Sequence, residues 1–351
     1  MSIPVTKSNL YREIHEQPEV LHRVLAQEGY IIEEIARAIG KLDINHLVIA
    51  ARGTSDNAGR YAQYVLGARN QMLVTLATPS LYSLYKSPPL VKNTMVVGIS
   101  QSGKSPDIVE VLAEARRQSV ITAVFTNDPD SDLAEQGDLV VNLCAGQETA
   151  VAATKTYTAE LAVIASLSNW LGKPSKRHDL AQELPEAVQK TLALNDTIAQ
   201  VAPRYRYMQH SVVIGRGFNY ATAFELALKL KELTYTIVEP YSSADFLHGP
   251  LAMIDNGFPV VVVAPSGRLD SEMETFVQTL KSHRAEIIGI SDNQALLDQV
   301  RIPLALPAPL AEWLSPITAI IPGQLFAMHL AHTRDYNVDT PRSIRKVTET
   351  H

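Results

Sequence analysis

One cysteine, Cys144, occurs in 351 residues. A lone thiol excludes a disulfide within the chain and every cysteine-cluster metal site, and it fits a reducing compartment. A buried, structural role is expected for it. The ten histidines include no His-Glu-x-x-His pair or other compact ligand spacing, so no structural or catalytic metal is expected. Basic blocks are missing too: the net charge is −6, which argues against a general nucleic-acid binder. No apolar run reads as long enough to cross a bilayer. The opening stretch MSIPVTKSNLYREIHEQPEVL is charged throughout and lacks the apolar core of a signal peptide, so a cytoplasmic protein without membrane partners is expected. Three familiar motifs are absent as well. There is no Gly-x4-Gly-Lys-Ser/Thr phosphate loop and no Gly-x-Ser-x-Gly nucleophile elbow. Gly215-Arg216-Gly217 begins a dinucleotide fingerprint, but Tyr220 stands where its third glycine belongs. No cofactor is expected.

What is present is an alternation. Residues 8–40 read as helices with a break at Pro18, and short apolar runs follow at His46–Ala51, Met72–Ala77, Thr94–Ile99, Val120–Phe125 and Leu139–Leu143. Runs of four to eight apolar residues separated by helical patterns indicate parallel strands covered on both faces. The order then returns at Val212–Ile214, Pro259–Ala264, Glu286–Ile290 and Ile302–Leu306. Gly53 and Gly217, Ser102 and Ser266, Gly103 and Gly267, and Asp128 and Asp292 are each 164 residues apart. A single offset shared by four landmarks suggests an internal duplication. The expected fold is α/β with two tandem doubly wound domains, each a mainly parallel five-stranded sheet flanked by helices. Their expected extents are 1–195, including the helical lead-in, and 196–335. They join within the helical region between about Leu180 and Val201. A Pro-interrupted helical region, Leu310 to Arg334, closes the second, and a polar tail covers 336–351.

Two stretches could carry chemistry. Glu225, Lys229 and Glu232 (i, i+4, i+7) share one helical stripe, but Ala221, Leu228 and Leu233 border it and Phe224, Leu226 and Leu230 cover most of the remaining circumference. A solvated face would not be so enclosed; the helix reads as mostly buried, with charges that are paired or line a polar pocket. His248 follows on a Gly-Pro loop. The second stretch is Ser100-Gln101-Ser102-Gly103-Lys104-Ser105-Pro106, where a strand runs into a helix with Ser105 suited to the N-cap and Pro106 to the first turn. Amides and hydroxyls at a helix N-terminus suit an anion such as a phosphate monoester, or form a polar turn with nothing bound. Gly53-Thr54-Ser55 and the segment Glu148 to Lys155 are candidate neighbouring walls.

Taken together, these stretches resemble a known family. Gly53-Thr54-Ser55, Ser100-Gln101-Ser102-Gly103, Glu148-x-x-Val151-Ala152-x-Thr154-Lys155, Glu225-x-Ala227-Leu228-Lys229-Leu230-Lys231-Glu232, His248-Gly249-Pro250-Leu251-Ala252 and Asp339-x-Pro341-Arg342 look like the tandem sugar-isomerase (SIS) half of glucosamine-6-phosphate synthase. The chain starts Met-Ser-Ile with no cysteine before Cys144, so the synthase's glutaminase domain is not expected. The opening Glu13-Ile14-x-Glu16-Gln17-Pro18 and the stretch Ser102 to Asp107 are similar to free-standing SIS-type glucosamine-6-phosphate deaminases. The resemblance implies an enzyme that takes glucosamine 6-phosphate and water to fructose 6-phosphate and ammonia. A fructosamine-6-phosphate deglycase, a simple phosphosugar isomerase and a non-catalytic sugar-phosphate-binding module remain open.

The same resemblance implies the roles. Ser100, Gln101, Ser102 and Ser105 hold the sugar phosphate, Thr54, Ser55 and Val151 complete the pocket, and Lys104 adds a positive charge nearby. Glu232 shuttles a proton between carbons 1 and 2, with Lys229 and Glu225 setting its charge environment. His248, entering from a neighbouring subunit of a homodimer, assists ring opening. Lys346 forms a Schiff base with the open-chain ketose.

Overall fold

The computed structural model describes residues 4–307 and 310–346. In chain order it runs α1 (Asn9–His15), α2 (Gln17–Gln27), α3 (Gly29–Lys41), β1 (His46–Ala50), α4 (Gly53–Asn70), β2 (Leu73–Leu76), α5 (Ser80–Ser83), β3 (Thr94–Ser100), α6 (Pro106–Arg117), β4 (Thr122–Thr126), β5 (Leu139–Asn142), α7 (Lys155–Leu171), α8 (Leu180–Leu192) and α9 (Asn195–Val201). The second half continues with β6 (His210–Gly215), α10 (Tyr220–Thr234), β7 (Ile237–Ser242), α11 (Ser243–Leu247), β8 (Pro259–Val263), α12 (Asp270–Ser282), β9 (Glu286–Ser291), α13 (Gln294–Leu297), β10 (Ile302–Ala305) and α14 (Ser315–Thr333).

These elements form two compact units. Among the described residues, one holds 17–148, 155–185 and 345–346 and contains β1–β5; the other holds 4–16, 149–154, 186–307 and 310–344 and contains β6–β10. Both sheets are five-stranded and wholly parallel, ordered β2-β1-β3-β4-β5 and β10-β9-β8-β6-β7. The fold class expected from sequence is therefore the observed one. His46 and His210 open β1 and β6, Leu73 and Ile237 open β2 and β7, and Thr122 and Glu286 open β4 and β9. All three pairs keep the 164-residue spacing of the landmarks.

In the β1–β5 unit, Val48, Ala50, Val96 and Val124 pack with Ile108, Val111, Leu112 and Ala115 of α6. On the other face Gly59 lets α4 settle onto the sheet, since a Cβ there would lie 2.7 Å from the Leu76 side chain. α7 packs against α2, α3 and α4. The β6–β10 unit repeats the plan: Val212, Ile214, Val260, Val262 and Ile287 meet Met273, Phe276, Val277 and Leu280 of α12, while α10 packs on β6, β7 and α14.

Three expectations need correction. β7 does not stand among the apolar runs; its sequence IVEPYS places Glu239 and Pro240 in an edge strand, the position in a sheet where proline is tolerated. α14 runs through Pro322 without interruption, held in a fully buried setting where Gly323 receives Leu226 of α10 at a separation only glycine permits. The same region overturns the expectation that no apolar run reaches membrane-spanning length: Glu312–Thr333 covers 22 residues at mean hydropathy 1.3. Every residue of its most apolar window is buried in the protein, so this is a core helix. Helices packed on all sides are apolar all round.

Candidate functional site

In the β1–β5 unit a cleft of about 690 Å³ opens at the carboxyl ends of β3, β4 and β5, where open parallel sheets carry their ligands. Its wall includes Gln101, Ser102 and Lys104 from the turn after β3, Asn127 and Asp128 after β4, and Lys346 from the tail. The turn is rigid for identifiable reasons. Gly103 has φ +62° and sits so close to Ser131 that a Cβ would fall 2.0 Å from that hydroxyl. The Gly103 amide donates to Ser100 Oγ at 3.1 Å, and the carbonyls of Gln101 and Gly103 accept from the amides of Asn127 and Leu133, both at 3.1 Å. Ser105 precedes Pro106 as the N-cap, and buried Asp107 in the next turn is gripped by Arg52 at 2.7 and 2.8 Å.

That scaffold leaves donors free. Among the described residues the Ser102 amide and the Gln101 side chain donate to nothing, and Lys104 makes no ion pair. Free amides and a helix N-terminus attract an anion. Ser100 is nearly buried and spends one lone pair on Gly103, and Ser105 makes no capping bond through its side chain. Thr54 and Ser55 stand in the first turn of α4 and do not line this cleft; the Ser55 hydroxyl donates to buried Glu160 at 2.7 Å.

Lys346 is placed with some force. Its ammonium donates to Glu148 Oε2 at 2.6 Å, and the Glu148 side chain is wholly buried. Glu148 also receives the Thr156 amide at 3.2 Å and the Thr156 hydroxyl at 2.9 Å, both from the first turn of α7. Lys155, at the end of the candidate wall segment, is buried and donates to the Gln147 carbonyl at 2.7 Å. Cys144 departs from expectation: it is half-buried, lines the cleft and has φ +50°. Burial, and then the neighbouring carboxylate of Glu28, push its thiol pKa up, so it is not primed as a nucleophile.

The β6–β10 unit holds the charged helix. On α10, Lys229 Nζ lies 3.4 Å from Glu225 Oε1 and 2.6 Å from Glu232 Oε2. Glu225 and Lys229 are 0% and 1% exposed, whereas Glu232 keeps 23%. One cation is thus shared by two carboxylates, and of the three groups only Glu232 reaches the surface. Buried charges persist where they are paired, because breaking such a pair costs about 3–5 kcal/mol. Arg334 fixes the end of this helix by donating to the Thr234 carbonyl at 2.7 Å and to the carbonyl of Met208. Burial holds its pKa below the usual guanidinium value. His248 lies exposed on the turn after α11, before Gly249 at φ +136°.

Val151 belongs to this same unit and donates its amide to the Asp339 carbonyl at 3.0 Å. The Asp339 carboxylate accepts the amides of Asn9 and Leu10 at 3.0 and 2.8 Å, which caps α1. Buried Glu13 on α1 receives the amides of Thr149 and Ala150. Sequence reasoning quoted Glu13, Glu148 and Asp339 as motif members without a role and did not single out Arg334. Their contacts span up to 330 residues, so no local spacing points to them.

Comparison with known proteins adds the following. The family described as the SIS domain matches residues 42–169 and 207–334. An isomerising glutamine–fructose-6-phosphate aminotransferase of Pyrococcus horikoshii is 33% identical over 342 residues, covering 96% of this chain; the chain spans 57% of that relative's length. The C-terminal domain of glucosamine-fructose-6-phosphate aminotransferase from Francisella tularensis superposes with TM-score 0.84 at 28% identity, covering 95% of this chain and 98% of that one. A glucosamine-6-phosphate deaminase of Thermotoga maritima shares the fold at TM-score 0.80 and 18% identity, covering 98% of this chain and all of that one.

Proposed function

Because this chain belongs to the SIS family, and carries the domain twice, we propose that it is a phosphosugar isomerase that also deaminates, converting glucosamine 6-phosphate and water to fructose 6-phosphate and ammonia. The observation that carries the reading is Lys346, a tail amine held in the same cleft as the unoccupied donors of Gln101 and Ser102. An anion cup beside an amine suits a phosphorylated carbonyl compound better than a neutral sugar.

In this reading the phosphate takes the Ser102 amide and hydroxyl, the Gln101 side chain, Ser100 and Ser105, with Lys104 adding charge. Thr54, Ser55 and Val151 keep the supporting role that the family resemblance gives them. Glu232 moves the proton between carbons 1 and 2, a task that needs a reachable, ionised carboxylate; its partial exposure and its pairing with Lys229 support this. Glu225 shares that cation from the buried side. His248 assists ring opening, and its exposed turn suits service to a second copy of the chain in a homodimer. Lys346 attacks carbon 2 of the open-chain ketose or its imine, and hydrolysis of the Schiff base completes deamination.

The test is release of ammonia and fructose 6-phosphate from glucosamine 6-phosphate by the purified protein. Equal amounts of both, lost in Glu232→Gln, are expected. Binding of the sugar phosphate without release would replace this reading with a deglycase, a plain isomerase or a binding module.

A further inference from the structure

Glu148 is an unusual partner for a lysine that has chemistry to do. Its carboxylate is wholly buried at the start of α7, a 17-residue helix whose N-terminal dipole favours a negative charge. Two of its contacts are fixed by one residue, the Thr156 amide and hydroxyl. Another comes from Lys346, 198 residues away in sequence, which lines the cleft. Glu148 thus meets Lys346 at 2.6 Å, at the wall of the cleft.

We propose that Glu148 is the positioning residue of the tail lysine: it holds Lys346 in the cleft and takes the proton that must leave the ammonium before the amine can attack. This rests on the proposed role of Lys346. The step balances without any added reagent. The ammonium and the carbon-2 carbonyl of the ketose give a protonated imine and one water. A nitrogen–carbon bond forms, the carbon–oxygen bond breaks, and the oxygen leaves with the two hydrogens that nitrogen has lost, the first of which passes to Glu148. A carboxylate at hydrogen-bond distance is the acceptor that this transfer requires. Glutamine at 148 keeps the size and the contacts to Thr156 but cannot accept that proton.

The experiment is reductive trapping with fructose 6-phosphate and borohydride on the full chain, read by mass spectrometry of the peptide containing Lys346. The wild type should gain one hexitol phosphate per chain. In Glu148→Gln the trapping rate should fall by about 30-fold or more while the dissociation constant for fructose 6-phosphate changes by less than about threefold. Glu148→Asp, which retains the charge at a longer reach, should recover part of the rate and guards against a glutamine variant that folds poorly. Trapping in Glu148→Gln within about threefold of wild type would overturn the proposal, as would loss of binding in step with trapping or the absence of any wild-type adduct. A wild type that traps fructose 6-phosphate yet releases no ammonia from glucosamine 6-phosphate would sink the deaminase reading and leave Glu148 in place.

Discussion

After β3 the chain turns through Ser102 and Gly103; after β8 it turns through Ser266 and Gly267, 164 residues later. In the first turn the Ser102 amide has no acceptor among the described residues. In the second the three successive backbone amides are all taken. The Ser266 amide donates to Asp292 at 2.6 Å, that of Gly267 to Asp270 at 2.8 Å and that of Arg268 to Glu312 at 3.2 Å. A Cβ on Gly267 would lie 2.3 Å from the Glu312 carboxyl carbon, so that side chain fills the space over the turn. Asp128, the counterpart of Asp292, instead accepts from the Asp130 amide at 3.3 Å. Duplication supplied two anion-attracting turns. One unit answers its own turn with carboxylates from the same chain, and the other leaves it open.

The largest test of this contrast concerns the carboxylate that the plugged unit does present. Glu232→Gln should lower kcat about 10³-fold with little change in sugar-phosphate binding, because only the proton shuttle is lost. Retention of turnover would remove chemistry from that unit altogether.

Acid offers the second test, through His329. Buried against Asn195, where it meets the amide oxygen at 2.9 Å, His329 has its pKa pushed down to about 4 by burial first and by His332 next. The unfolded chain, with an ordinary imidazole, binds the extra proton between about pH 6.5 and 4, so stability should fall across that window as pH drops. It should be unaffected above the window and level off below it. The loss is at most about 3 kcal/mol, and urea midpoints at pH 7 and 4.5 should show it. His329→Gln should flatten the dependence.

Smaller effects separate the turns directly. Ser102→Ala should raise KM about tenfold with kcat nearly constant, in line with the loss of a hydrogen bond to a charged ligand. Ser266→Ala should leave both constants where they are. Equal effects in the two variants would end the distinction between open and plugged turns. Glu312→Ala should cost only about 1 kcal/mol, seen as a melting point lower by a few degrees, because it frees a single amide close to solvent.

How much of this was readable in the residues depends on the range of the interaction. Nine strands stood out as apolar runs, and Ser105-Pro106 marked a helix start, because both signals lie within a few neighbours. β7 escaped because an edge strand with Glu239 and Pro240 carries no apolar run, although the 164-residue offset from Leu73 leads directly to Ile237. The burial of the α10 stripe was legible from its leucine border. The plug was not: Asp270, Asp292 and Glu312 are ordinary acidic residues until the fold aims them at amides. Nor was the buried partner of Ser55 legible, since Glu160 lies 105 residues on.

The interleaving of the two units carries a last consequence, for how the chain is made. α1 leaves the ribosome long before its partner does: its otherwise unpaired amides wait for the carboxylate of Asp339, some 330 residues later. The cleft likewise waits for Lys346. Neither unit can be finished while most of the chain is being synthesised, so assembly is dominated by late, long-range closure, the slow and aggregation-exposed regime of folding.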